Sequence, residues 1–142
     1  MNKVVTVGTF DILHPAHKEL LMEAKGLGDY LLVVVVPDEI VYKNKGERPA
    51  NKQESRLNNL KRLPWVDEVS IDCLCWGYQS IISYKPDIFV FGPDQRTSIE
   101  TRTIDLLDSA GINPRYLYSN SQKIYSSTEL KRKYHQSSIN CD

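Results

Sequence analysis

Leu31-Leu32-Val33-Val34-Val35-Val36 is an unbroken apolar run in which four of the six residues are β-branched. Valine crowds a helix but packs well on a pleated surface, and a run this short has the length of a strand. A strand with one wet face alternates apolar and polar residues. One that does not alternate has both faces covered, the condition of a central strand in a parallel sheet flanked by helices. The run is also far below the ~18 apolar residues that suggest a membrane span. Tyr30 to Val36 is therefore predicted as a buried strand, sheltered only if helices lie on both sides of the sheet.

Apolar runs alternate with amphipathic stretches along the rest of the chain, as a parallel α/β sheet requires. A first strand is predicted at Lys3 to Gly8. A helix follows, with Pro15 suited to its first turn, an apolar stripe at Leu20, Leu21, Ala24 and Leu27, and Gly26 and Gly28 as stop signals. After the Tyr30–Val36 strand comes a polar segment, Pro37 to Ala50, which carries Lys43, Lys45 and Arg48 and is expected to be an irregular, mobile loop. Asn51-Lys52-Gln53-Glu54 has capping-box spacing and predicts a helix to about Leu63. Strands are predicted near Glu68 to Ile71, at Asp87 to Phe91 and at Arg115 to Tyr118. Helices are predicted at Gly77 to Tyr84 (brief), at Ser98 to Ala110 and from the second capping-box pattern, Ser126-Ser127-Thr128-Glu129. No repeat, low-complexity tract or linker interrupts this order. The expectation is one Rossmann-like, doubly wound α/β domain over residues 1–142, with a five-stranded parallel sheet.

Composition narrows the function. Eighteen basic and eighteen acidic residues cancel, which argues against the broad cationic surface that nucleic-acid binding needs. Lys131-Arg132-Lys133 reads as a solvated helix end. The three cysteines, Cys73, Cys75 and Cys141, give neither a disulfide framework nor a zinc ribbon and read as reduced thiols. The N-terminus runs directly into Lys3-Val4-Val5-Thr6-Val7, without the layout of a secretory signal. A cytoplasmic protein without a membrane or nucleic-acid partner is expected.

The chemistry concentrates in Gly8-Thr9-Phe10-Asp11-Ile12-Leu13-His14-Pro15-Ala16-His17, between the first strand and the first helix. That is the carboxyl end of the sheet, where open α/β folds bind ligands. Gly8 would let a phosphate approach the backbone, and the following helix start presents a positive dipole end to an anion. His14 and His17 can share one face there. Two imidazole donors beside a phosphate suit transfer at an α-phosphorus, where charge on the oxygens must be stabilised. Taken alone, such a pair also fits a surface pair or half a metal site, but the zinc motif H-E-x-x-H needs a spacing of four and an intervening Glu. A signalling receiver with Asp11 as phosphate acceptor lacks its acidic partners, since the third strand ends at Asp72 without them.

This stretch resembles the cytidylyltransferase-like superfamily, whose signature is a strand followed by G-x-F-D-x-x-H-x-G-H, with Ala16 standing where the usual Gly would be. Lys45-Gly46-Glu47-Arg48-Pro49 with Arg56 resembles the K-G-x-R-P…R segment of heptose-phosphate adenylyltransferases, and its lysine falls where glycerol-phosphate cytidylyltransferases keep one. Trp65-Val66-Asp67-Glu68-Val69 is similar to the W-V-D-E-V of ethanolamine-phosphate cytidylyltransferases. Gly92-Pro93-Asp94-Gln95 is similar to the turn in archaeal FAD synthases, and Tyr125-Ser126-Ser127-Thr128 to the family's I-S-S/T-T segment. The resemblance implies roles. His14, His17 and Lys45 would be catalytic: the histidines on triphosphate oxygens, the lysine between donor and acceptor phosphates. Gly8, Thr9, Phe10 and Asp94 would line the nucleotide pocket, with Ser127 and Thr128 on the β- and γ-phosphates. Arg56 would steer the acceptor. A homodimer is also implied.

The expected activity is a nucleotidyltransferase that uses CTP or ATP and a small phosphorylated acceptor, and releases pyrophosphate by direct in-line displacement. Mg²⁺ would ride on the triphosphate. Short length and the G-T-F-D start favour CTP with an acceptor such as glycerol 3-phosphate. K-G-x-R-P and G-P-D-Q favour the alternative, ATP with FMN or a sugar phosphate. The R-T-x-G that small-alcohol cytidylyltransferases carry before the serine-threonine segment is replaced by Ser119-Asn120-Ser121-Gln122-Lys123-Ile124, where Lys123 alone brings a cation to the acceptor side. A silent nucleotide-binding module is the remaining reading, against which both histidines are intact.

Overall fold

The computed structural model describes residues 1–13, 15–92, 97–119 and 124–125, of which 97–99 and 124–125 are described by their backbone. Six strands form one sheet in the order β3-β2-β1-β4-β5-β6. β1 (Lys3–Gly8), β2 (Tyr30–Val35), β3 (Glu68–Ile71), β4 (Ile88–Phe91) and β5 (Arg115–Tyr118) are parallel, as the sequence predicts. A two-residue strand, β6 (Ile124–Tyr125), adds antiparallel to β5 and was not anticipated.

The valine run behaves as its pattern demands. Leu31, Val33 and Val35 face one layer, packing with Leu20, Leu21 and Ala24 of α1 (Pro15–Gly26) and Leu60 of α3 (Gln53–Lys61). Leu32, Val34 and Val36 face the other, with Ile40 and Val41 of α2 (Asp38–Lys45), Ile81 of α4 (Gln79–Tyr84) and Ile104 and Leu107 of α5 (Thr97–Ser109). The period of two along a strand sends alternate side chains to opposite layers, so a run with no polar break is buried on both. No helix among the described residues is long and apolar enough to cross a membrane.

The expected 37–50 loop is in large part α2. Its signals are local: Pro37 before the start, Asp38 and Glu39 in the first turn, Lys43 and Lys45 in the last, and Gly46 as a left-handed C-cap at φ 77°. Acids at the start and bases at the end match the helix dipole, while Ile40 and Val41 bury the inward face. The capping box also resolves differently. Lys52, one residue later than the box requires, is the N-cap residue of α3 and makes no side-chain capping bond, because an ammonium has no acceptor to offer the first N–H groups. The helix predicted from Ser126 lies outside the described residues.

β1 and β4 are neighbours, and the chain winds from β1 through β2 to β3 on one side and from β4 to β5 on the other. The order reverses between β1 and β4, so a crevice opens beyond their carboxyl ends. Gly8 and Gly92 flank it.

Candidate active site

The loop leaving β1 is bent by Phe10, whose φ of 49° is left-handed. A bulky residue there is strained unless its surroundings fix it. The ring is buried, packs over Gly8, and meets the His17 ring edge-on at a centroid distance of 5.6 Å. A Cβ on Gly8 would lie 2.8 Å from Cε2 of Phe10, so in this structure the glycine makes room for the Phe10 ring.

His17 is in the first turn of α1 and half-buried. Its Nδ1 lies 3.1 Å from the Ile12 carbonyl oxygen. A carbonyl only accepts, so the proton is on Nδ1, and Nε2 can donate to a phosphate oxygen only when the ring carries both protons.

Asp11 is the joint between this loop and the segment before α3. Its two carboxylate oxygens accept the N–H groups of Ala50 and Asn51, each at 2.8 Å, and its carbonyl accepts the Asn51 side-chain amide at 2.6 Å. Desolvation pushes the Asp11 carboxyl up, but the Asn51 and Ala50 donors and the nearby Arg56 charge outweigh it and hold the group below its ordinary value.

Arg56 is fully buried, 0% exposed. Its Nε donates to the Asn51 carbonyl, Nη1 to the Thr9 carbonyl at 2.8 Å, and Nη2 to Asp38 at 2.6 Å. Asp38 and Gln53 in turn exchange bonds: the Gln53 side chain accepts the Asp38 N–H, and the Asp38 carboxylate accepts the Gln53 N–H. One guanidinium thus ties the motif loop to the starts of α2 and α3. That placement makes Arg56 a brace beneath the loop, with Nε, Nη1 and Nη2 each donating to a protein oxygen.

The structure therefore brings Gly8, Thr9, Phe10, His17 and Arg56 together around one loop and joins it through Asp11 to the segment after Lys45, which is exposed at the end of α2. His14, Asp94, Lys123, Ser127 and Thr128 lie outside the described residues. Asp11, Asp38, Asn51 and Gln53 were not among the site residues expected from sequence. Asp11 stood inside the motif, but its partners are about forty positions away, and nothing local marks them.

The sequence profile of the family described as Cytidylyltransferase-like matches residues 5–133. The chain is 44% identical over 98 residues to an FAD synthase of Thermococcus sibiricus, covering 68% of this chain and 66% of that protein, just under two thirds of its length. It is 41% identical over 122 residues to the FAD synthase of Thermococcus onnurineus, with 82% and 81% covered. The FAD synthase of Pyrococcus horikoshii is 42% identical over 120 residues, with 78% and 75% covered. Among solved structures, the lipopolysaccharide core biosynthesis protein from Thermoplasma volcanium GSS1 superposes with a TM-score of 0.75 at 32% identity, over 87% of this chain and 99% of that one. A profile match across nearly the whole chain, joined to three relatives each more than 40% identical, makes this chain a nucleotidyltransferase that belongs to the cytidylyltransferase-like family.

Proposed function

We propose that the chain is an adenylyltransferase that joins AMP from ATP to FMN, forming FAD and releasing pyrophosphate. The observation that carries this reading is that three relatives, each more than 40% identical, share the name FAD synthase. They support ATP and FMN better than the CTP and glycerol 3-phosphate reading favoured by the sequence.

An oxygen of the FMN phosphate attacks the α-phosphorus of ATP; as that bond forms, the bond to the bridging oxygen breaks and pyrophosphate leaves. A phosphate monoester has a second pKa near ~6, so the nucleophile is already ionised at neutral pH and no covalent intermediate is required. The protein's task is to position the phosphates and stabilise charge. In this proposal His14 and His17 donate to triphosphate oxygens, Ser127 and Thr128 hold the β- and γ-phosphates, and Asp94 with Gly8, Thr9 and Phe10 bounds the nucleotide. Lys45 closes over the converging phosphates, and Arg56 holds the Thr9 carbonyl in place.

Among the described residues, no three His, Cys, Asp or Glu side chains gather as a metal cage, and the Asp11 carboxylate is committed to backbone donors. Mg²⁺ fits this chain as an ion held chiefly by the nucleotide phosphates, where it would neutralise their charge.

The test is a pyrophosphate-release assay pairing ATP and CTP with FMN, glycerol 3-phosphate and a heptose phosphate, with chromatographic detection of FAD. ATP with FMN should give FAD and pyrophosphate in equal amounts. Turnover of CTP with glycerol 3-phosphate, and none of ATP with FMN, would overturn the reading.

A further inference from the structure

With Arg56 buried under the loop, the exposed arginine of the same segment is Arg48, eight residues earlier. Its Cζ lies 5.2 Å from the centre of the Tyr42 ring. Tyr42 is 50% exposed, so the guanidinium covers only part of it. The two meet because Gly46 caps α2 in the left-handed conformation, its N–H donating to the Tyr42 carbonyl, which turns the chain back over the last turn. Lys45 is three residues after Tyr42 and shares its side of the helix. Among the described residues the ion pairs are Lys25–Asp67 and Arg56–Asp38, and Arg48 forms none. Residues 43–52 hold four cations, Lys43, Lys45, Arg48 and Lys52, against Glu47 alone.

The Asp11 joint fixes where this cluster lies. Ala50 and Asn51 are bonded to Asp11 in the motif loop. Arg48 is two residues before Ala50, so their Cα atoms are at most about 7 Å apart. A half-exposed aromatic ring and an unpaired guanidinium are thereby tethered beside the loop that leads into His14 and His17.

We propose that Tyr42 and Arg48 form the acceptor subsite and select a phosphate monoester that carries a flat ring system. An arginine held over a ring still carries five N–H donors, and the planar fork can make two parallel bonds to phosphate. The exposed part of Tyr42 offers an apolar face to the ring system. A phosphorylated small alcohol would use the arginine and leave the tyrosine idle. This proposal rests on the FMN reading above.

Flavin fluorescence tests it by direct titration. FMN, and riboflavin as the analogue without phosphate, are added to the wild type and variants with Mg²⁺ and a non-hydrolysable ATP analogue present. The wild type should bind FMN more tightly than riboflavin. Arg48→Ala should weaken FMN at least about tenfold and abolish that preference, with Arg48→Lys intermediate. Tyr42→Ala should weaken FMN and riboflavin alike, Tyr42→Phe should match the wild type, and affinity for the ATP analogue should stay within twofold in every variant. Melting curves identify any variant that fails to fold; Arg48→Lys then carries the phosphate comparison, and Tyr42→Leu, which keeps apolar bulk but no aromatic face, should weaken FMN and riboflavin alike. Unchanged FMN affinity in Arg48→Ala overturns the subsite. If the wild type binds no FMN, the FMN reading itself fails. The same variants are then assayed with whichever acceptor releases pyrophosphate: a raised KM in Arg48→Ala keeps the phosphate contact, and an unchanged KM removes it.

Discussion

Phe10 concentrates the local cost of building this site. Its left-handed backbone is worth roughly 1–3 kcal/mol of strain, offset by burial of the ring and by the Arg56 bond that fixes the preceding carbonyl. Because the ring fills the space over Gly8 and touches His17, a methyl group at position 8 should be felt at the histidine. Gly8→Ala is expected to lower kcat at least about tenfold and stability by about 1–3 kcal/mol, the usual range for overpacking; steady-state rates with urea unfolding measure both. Wild-type rates would mean the ring yields without moving the imidazole. For His17, loss of a transition-state donor predicts a fall in turnover of about 100-fold in His17→Ala with the fold retained. His17→Asn keeps a donor only where Nδ1 meets the Ile12 carbonyl. It should rescue little if Nε2 is the working end. Recovery of most of the rate in His17→Asn would reverse that assignment.

At the scale of elements, the brace through Arg56 and Asp38 joins α2, α3 and the motif loop without regular secondary structure. Removing one partner of a buried pair is far costlier than replacing both, because the other charge is left uncompensated. Arg56→Met should destabilise by about 3 kcal/mol, the low end for such pairs, because the Asp38 side chain keeps 20% exposure. Adding Asp38→Leu should recover part of the loss, as a double-mutant cycle in denaturant can show. Asp11 and Asp67 bind backbone N–H groups across elements, and both carboxyls are held below the ordinary 3.8. A carboxyl whose folded value is depressed stabilises fully above its unfolded value and loses that contribution as pH falls through the folded one. Melting temperature should therefore hold down to about pH 4 and decline below it, less steeply in Asp11→Asn than in the wild type. These ties also mark what sequence could reveal. The strands and α1 were legible because burial on a sheet leaves a local pattern. α2 was equally legible, in Pro37, its end charges and Gly46, but was masked by its low apolar content. The capping pattern at Asn51 located the helix but not its cap, which falls one residue later on Lys52, while Asn51 is tied by its side-chain amide to Asp11, forty residues away. β6 spans two residues, too few for any periodicity.

Across the whole molecule, the proposed substrates would meet where separate parts of the sheet end: the β1 loop, the carboxyl end of β4, and the segment beyond β2 tied back through Asp11. A ligand bridging such parts binds only the folded chain, because unfolding scatters its contacts across more than eighty residues of sequence. Binding should then raise stability by mass action, RT ln(1 + [L]/Kd), or about 2.7 kcal/mol at a hundredfold excess over Kd. Domains near this size shift by very roughly 3–5 °C per kcal/mol, so saturating ATP with Mg²⁺ should raise the melting temperature by on the order of 10 °C. The comparison that discriminates is between nucleotides at equal concentration. Under the adenylyl reading, CTP should shift the curve much less than ATP. Chelating Mg²⁺ should collapse the ATP shift, since the described residues gather no metal cage to replace the neutralisation of the phosphates. FMN added to ATP should move the curve further only if an acceptor subsite forms beside the nucleotide, and Arg48→Ala should cancel that increment while leaving the ATP shift intact. An equal or larger shift with CTP would return the cytidylyl reading to first place, without disturbing the family to which the chain belongs.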